Sequence, residues 1–226
     1  MPTVLIATRN KHKVEEIRSI LGDRFEFRTL SDFPGAPTPV EDAPDFAGNA
    51  TKKAVTLANW LATHGNLEGI EYVLADDSGL EVDALNGAPG VHSARFAGLD
   101  TGAEGNSSDA ENNAKLLRLT KDVAEKKARF RCVIAFTAVP GREVALASKT
   151  CEANEAELGT EIFDGRCEGR IIDAPRGARG FGYDPLFIPD GFNESFAELG
   201  EETKNRISHR SRALEKLRAR LDRRDR

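Results

Sequence analysis

Val4-Leu5-Ile6-Ala7-Thr8-Arg9-Asn10-Lys11-His12-Lys13 carries the chain from an apolar run into a polar, cationic turn. Val4 to Ala7 is short and rich in β formers, which predicts a strand. Beyond the turn, Val14, Ile17, Ile20 and Leu21 recur at helical spacing until Gly22, which predicts a helix. Strand, polar loop and helix in this order open an α/β arrangement. Such a loop sits where backbone N–H groups and the positive end of a helix dipole receive an anion. Thr8 and Asn10 can donate hydrogen bonds and Lys13 adds charge. The segment is no Walker loop, since it lacks the glycines and the Gly-Lys-Ser/Thr ending. The competing reading is an ordinary helix cap with solvated lysines.

The same patterns continue along the chain. Phe25 to Leu30 alternates as a second strand, with Phe25, Phe27 and Thr29 on one face. Ser31 to Asp45, rich in Pro, Asp and Gly, reads as a loop that carries Glu41, Asp42 and Asp45. Ala47 to Ala62 has Ala50, Ala54, Leu57, Ala58 and Leu61 on one stripe and predicts a second helix. Tyr72 to Ala75 predicts a strand that delivers Asp76 and Asp77 at its end. Leu85 to Gly105 is too long to be a mere connector and is a candidate functional loop. Ser107 or Asp109 is placed to cap a helix over Ala110 to Val123. Phe130 to Val139, Val144 to Cys151, Ala156 to Phe163 and Cys167 to Ile172 predict short strands of an antiparallel meander. Its turns fall at Pro140-Gly141 and Asp164-Gly165. One more strand is expected over Pro185 to Pro189, and one unbroken helix over Lys204 to Leu221. The arginines 218, 220, 223, 224 and 226 read as a frayed, solvated tail. Helix-flanked strands at both ends and a meander between them imply an α/β or α+β fold around a mixed sheet.

Composition narrows the class. At 226 residues, with 39% hydrophobic and 31% charged content, the chain can bury a core without disulfides. No apolar run approaches the ~20 residues of a membrane span, and Met1-Pro2-Thr3 leads straight into a strand, so neither membrane association nor a targeting peptide is expected. The three cysteines, Cys132, Cys151 and Cys167, are widely spaced and fit neither a disulfide framework nor a C-x-x-C metal site, which suits a reducing cytoplasm. A net charge of −5 argues against a general nucleic-acid binder but leaves room for a small anion in a local basic pocket.

Two further blocks bear chemistry. In Leu74-Ala75-Asp76-Asp77-Ser78-Gly79, adjacent carboxylates on a strand point to opposite sides, so only one faces a given site. A turn is the alternative reading. A hard divalent cation on phosphate oxygens needs only one or two protein carboxylates, and Glu41 is a plausible second ligand. In Pro175-Arg176-Gly177-Ala178-Arg179-Gly180-Phe181-Gly182-Tyr183-Asp184, an aromatic follows two arginines and lies between glycines, which suits a stacking surface for a base. Phe181 and Tyr183 as core or turn residues is the alternative. Ser208-His209-Arg210 reads by itself as a solvated helix face.

Taken together, these blocks resemble the inosine triphosphate pyrophosphatase family, whose members hydrolyse deaminated purine nucleoside triphosphates. The resemblance runs from Val4 to about Leu217. It is carried by Ala7 to Lys13, Phe46-Ala47-Gly48-Asn49-Ala50 with Lys53, Ala75 to Leu80, Gly87 to Arg95, Gly180 to Pro185, and Ser208 to Arg210. It implies an α/β fold with a mixed, curved central sheet, flanking helices and two lobes around an active-site cleft, within one domain over residues 1–226, usually as a homodimer. The implied reaction is cleavage of the triphosphate to monophosphate and pyrophosphate with Mg²⁺. On matching positions, Thr8, Asn10 and Lys13 hold the phosphates, with Arg9, Lys11 and His12 contributing through the loop and Lys53 adding charge. Glu41 and Asp77 bind the metal, and Asp77 is the base that activates water. Ser78 touches the substrate, Phe181 stacks on the purine, and Gly182, Tyr183, Asp184, Lys204, His209 and Arg210 complete the nucleoside pocket.

Two positions depart from the family pattern. Arg9 stands where many relatives have glycine, which adds a cation. Gly48 stands where many have glutamate, and Asp42 or Asp45 is expected to compensate. The expected substrates are the inosine, deoxyinosine and xanthosine triphosphates. The rival readings are a pyrophosphatase aimed at modified pyrimidines or methylated nucleotides, and a nucleotide sensor without turnover.

Overall fold

In the computed structural model, which describes residues 1–64, 69–103, 105–141 and 159–223, Thr3–Ile6 forms strand β1 and is buried along its whole length. A strand with no polar side is what a sheet interior demands, and β1 pairs in parallel with β2 (Glu26–Thr29) on one edge and β3 (Tyr72–Val82) on the other. Helix α1 (Lys11–Leu21) connects β1 to β2, and α2 (Phe46–Thr63) precedes β3. Then follow α3 (Asp109–Thr120), β4 (Lys127–Ala138), β5 (Glu161–Ile171) and β6 (Phe187–Pro189). The chain closes with α4 (Phe196–Leu199), α5 (Glu201–Ile207) and α6 (His209–Asp222). Among the described residues the sheet has six strands in the order β2-β1-β3-β4-β5-β6, and β5 and β6 run antiparallel. This is the mixed sheet with flanking helices that the sequence predicts.

The chain divides into two compact units: residues 1–77, 133–164 and 213–226 in the first, and residues 78–132 and 165–212 in the second. In the first, Leu5, Ile17, Leu57 and Leu74 are fully buried, and Tyr72 stacks on Phe136 with ring centroids 4.7 Å apart. In the second, Leu80, Phe96, Leu116, Phe130, Phe187 and Phe196 form one core cluster.

Local signals placed several boundaries differently from the fold. Asp76 and Asp77 lie inside β3, neither at its end nor in a turn, because the strand continues through buried Leu80 and Val82. Each carboxylate has a lysine partner, so a strand interior can carry it. Asp164-Gly165 is not a turn either. Burial alternates through it, with Gly165, Cys167, Gly169 and Ile171 in and Arg166, Glu168 and Arg170 out, so pairing overrides turn propensity. Ser108, not Ser107 or Asp109, caps α3, and its hydroxyl accepts the Glu111 N–H in a capping box. Asp184 to Leu186 is a tight helical turn, so the strand expected from Pro185 begins at Phe187.

The predicted final helix is broken at Ser208, whose backbone is extended (φ −68°, ψ 161°) and whose Oγ accepts the Ser211 N–H. His209 and Arg210 therefore start a new helix and are buried, not solvated. The C-terminal arginines do not all form a solvated tail: α6 runs to Asp222, and Arg220 Nε meets Glu161 Oε2 at 2.7 Å. The strand expected over Val144 to Cys151 and the start of the next one lie outside the described residues.

Candidate active site

The first unit gathers cations and carboxylates. Asn10 caps α1, its Oδ1 accepting the Lys13 N–H at 3.2 Å, and Thr8 Oγ1 accepts the Asn10 N–H at 3.1 Å. The loop is thus pinned at the positive end of the α1 dipole. Lys11 and His12 are exposed on its first turn. Arg9 is turned elsewhere, with Nη1 donating to Thr38 Oγ1 at 2.9 Å and Nη2 to the Ala36 carbonyl at 3.4 Å. Its guanidinium fastens the acidic loop.

Lys13 pairs with Asp76, which is 2% exposed, and Lys53 Nζ lies 2.8 Å from Asp77 Oδ1 and 3.5 Å from Glu41 Oε2. The two adjacent carboxylates therefore take different lysines. Burial pushes the Asp77 carboxyl above its ordinary range, although Lys53 and Lys13 pull the other way. For Lys53, burial disfavours the ammonium, but Asp77 and Glu41 together outweigh it and the group is held above its usual value. A carboxylate made more basic in this way is better suited to accept a proton.

Asn49 belongs to this cluster, and no role was assigned to it from the sequence. Fully buried, it donates from Nδ2 to Asp77 Oδ2 at 3.3 Å and accepts the Ala43 N–H at Oδ1 at 2.9 Å. One side chain thus links the candidate base to the loop that carries Glu41. The signal was present: Asn49 and Lys53 are polar residues four apart on the buried side of an alanine-rich helix.

Asp42 and Asp45 are both committed to structure. Asp45 caps α2 through the Gly48 N–H at 2.7 Å. Asp42 pairs with Lys52, whose hydrogen bond holds its carboxyl below the usual range. Each of the two carboxylates that were expected to compensate for Gly48 thus has a structural partner of its own. A Cβ at Gly48 would lie 2.7 Å from Ala43 Cβ, so the loop occupies the space a larger residue would need.

The second unit carries the aromatic. Phe181 has Lys204 Nζ 4.7 Å and the Arg210 guanidinium carbon 5.9 Å from its ring centroid. Asp184, 2% exposed, accepts the Phe181 N–H at 3.0 Å and Lys204 Nζ at 2.6 Å. A Cβ at Gly180 would fall 2.2 Å from Asp184 Oδ2, so only glycine lets the carboxylate close this turn. Gly182 also lies in the turn, at positive φ. Tyr183 is a core residue whose hydroxyl donates to the Ser93 carbonyl at 2.9 Å; burial raises its pKa. His209 stacks on Phe130 with centroids 4.8 Å apart, and Arg210 Nη2 donates to Ser78 Oγ at 3.0 Å. Ser78 follows Asp77 directly in β3, so the last residue of the carboxylate cluster and the first of the aromatic one are joined by a single peptide bond.

Residues 4–220 match the Ham1 family. The chain belongs to that family. It is 34% identical to a HAM1 protein from Coxiella burnetii, with a TM-score of 0.78, covering 99% of this chain and 100% of that one. A Ham1 protein from Staphylococcus aureus is 32% identical with a TM-score of 0.75, covering 97% and 98%. Among relatives named dITP/XTP pyrophosphatase, that of Geobacillus kaustophilus is 43% identical over 220 residues, covering 96% of this Ham1 chain and 93% of the relative. That of Desulfotalea psychrophila is 42% identical over 220 residues, covering 97% and 85%.

Glu41 and Asp77 fit a hard divalent cation in one respect: both carboxylates already share one cation, lying 3.5 and 2.8 Å from Lys53 Nζ. Among the described residues no group of three or more His, Cys, Asp and Glu side chains is arranged to hold a metal. Two oxygen ligands are what Mg²⁺ asks of a protein when phosphate oxygens and water complete its shell.

Proposed function

We propose that this Ham1 protein hydrolyses deaminated purine nucleoside triphosphates, those of inosine, deoxyinosine and xanthosine, to the monophosphate and pyrophosphate. The observation that carries this reading is the raised, buried Asp77 carboxylate, held by Lys53 and Asn49 and followed directly by Ser78, the partner of Arg210. Asp77 takes a proton from water as it attacks the α-phosphorus. Lys13 and Lys53 neutralise phosphate oxygens, and the α1 dipole adds to them. Mg²⁺, held by Glu41 and Asp77, supplies further charge neutralisation on the phosphates when bound. Phe181 stacks on the purine, and donors of His209 or Arg210 suit the O6 acceptor of hypoxanthine or xanthine. The amino group of adenine would leave such a donor facing a donor, a buried mismatch that discriminates strongly.

The same reading carries a homodimer in the cytoplasm, its assembly testable by light scattering as twice the chain mass. Among the described residues no helix is long and apolar enough to cross a membrane. The deciding experiment is pyrophosphate release from ITP, XTP, dITP, ATP and GTP with and without Mg²⁺. Strong Mg²⁺-dependent release from the first three and little from ATP and GTP is expected. Tight binding with no release would make the protein a sensor and reject the proposal.

A further inference from the structure

Gly182, beside the stacking aromatic, has both of its backbone polar groups taken by one helix. Its N–H donates to Asp109 Oδ2 at 2.7 Å, and its carbonyl accepts from Asn113 Nδ2 at 3.0 Å. Asp109 and Asn113 are four apart on α3, so their side chains rise from the same face one turn apart. The contacts span 73 and 69 residues of sequence, and neither residue was read as part of a site. Gly182 has φ +63°, and a Cβ there would meet nothing within 4 Å, so the backbone angle rather than space calls for glycine. A residue free to rotate in this way has no conformational preference of its own, and its partners must supply one.

We propose that Asp109 and Asn113 form a backbone clamp that positions Phe181 for the purine and so sets affinity for the base. Asp184 holds the Phe181 N–H and α3 holds the N–H and the carbonyl of Gly182, one from each of the two peptides that flank its Cα, so the ring has a fixed base before substrate arrives. Pre-ordering of this kind raises affinity by removing an ordering cost from binding. The clamp touches no reacting atom. Its loss should therefore weaken binding of the base and leave chemistry at saturation intact. Asn112, the residue between them in sequence, is used differently: it accepts the Ala97 N–H and donates to the Ala94 carbonyl, tying α3 to another segment.

This inference rests on the purine reading of Phe181, and the experiment separates the two. Steady-state hydrolysis of ITP with Mg²⁺ is measured on the full chain carrying Asn113→Asp, Asn113→Ala, Asp109→Ala or Asp109→Asn, beside Phe181→Ala. Asn113→Asp keeps the shape but turns an acceptor toward the Gly182 carbonyl. KM is expected to rise about tenfold in Asn113→Asp and Asp109→Ala, the effect of losing roughly 1.4 kcal/mol, with kcat within about twofold. Asp109→Asn, which keeps an acceptor oxygen, should restore KM. A role confined to stability would lower the active fraction, and with it kcat, while KM stayed put. Unchanged KM in both Asn113→Asp and Asn113→Ala, or failure of Asp109→Asn to rescue, overturns the clamp alone. Unchanged KM in Phe181→Ala overturns the purine reading and the clamp with it.

Discussion

Replacing Asp77 with asparagine keeps the shape of the side chain and removes its charge from a site where the residue is only 6% exposed. The partner most affected is Lys53, whose Nζ lies 2.8 Å from Asp77 Oδ1 and is itself buried. At that separation the gross attraction is about 6 kcal/mol for an effective dielectric near 20. The net cost of breaking a buried pair is smaller, about 3–5 kcal/mol, and arises from the uncompensated charge left behind. Glu41 remains 3.5 Å from Lys53 with a partly exposed side chain, and asparagine relieves the burial penalty that raises the Asp77 carboxyl, so the net cost is no more than about 3 kcal/mol. For a chain of this size that is a drop of roughly 6–12 °C in melting temperature. Asp77→Asn should also lower kcat for ITP by about 10²–10⁴, the loss expected of a general base. Adding Lys53→Met removes the stranded charge, so the double variant should regain most of the lost stability and none of the activity. Calorimetry and pyrophosphate release on the four proteins of this cycle test it. Turnover of Asp77→Asn within tenfold of the unaltered protein, or a double variant no more stable than Asp77→Asn, would refute the reasoning.

Three more outcomes follow from the same geometry. The Asp77 carboxyl is raised by burial, and the base form is the deprotonated one, so activity should fall with decreasing pH on a limb above the ordinary carboxylate range. Lys53 pulls that value down, so Lys53→Met should move the limb in the kcat/KM profile to higher pH; movement to lower pH contradicts the assignment. Arg9→Ala frees the loop held at Thr38 and Ala36, and the Mg²⁺ concentration for half-maximal activity should rise several-fold, the effect of losing about 1 kcal/mol in all. An unchanged Mg²⁺ titration would separate Arg9 from Glu41. Gly79→Ala would place a Cβ 2.5 Å from the Gly90 carbonyl oxygen and 2.3 Å from Ser93 Oγ, and overpacking of this kind should cost about 1–3 kcal/mol in a denaturant titration.

How much of the site could be read from the sequence depended on the range of the signal. The loop at Thr8 to Lys13 was legible because an apolar strand, a polar turn and a helical repeat are neighbours in sequence, and Asn10 caps α1 as the competing reading of that turn predicts. Asn49 is marked in the sequence only as a polar residue one turn before Lys53 on the buried side of α2, and its two contacts, to Asp77 and Ala43, come from the fold. Asp109 reads as a candidate helix cap and Asn113 as a polar residue of the same helix, and only the fold brings Gly182 to them. Arg9 is legible as an added cation, and only the fold shows its guanidinium bonded to Thr38 and the Ala36 carbonyl.

Residue order alone determined the strands and helices with clean periodicity, the mixed α/β class and the identity of the motif residues, since these rest on spacing along one segment. Tertiary structure decided that Asp76 and Asp77 sit inside a strand, that β5 runs through Asp164-Gly165, and that Ser208 breaks the last helix to bury His209 and Arg210. In each case the local preference is worth about 1 kcal/mol or less. Ion pairing, ladder hydrogen bonds and burial supplied by residues distant in sequence outweigh it, and those partners exist only once the chain has folded.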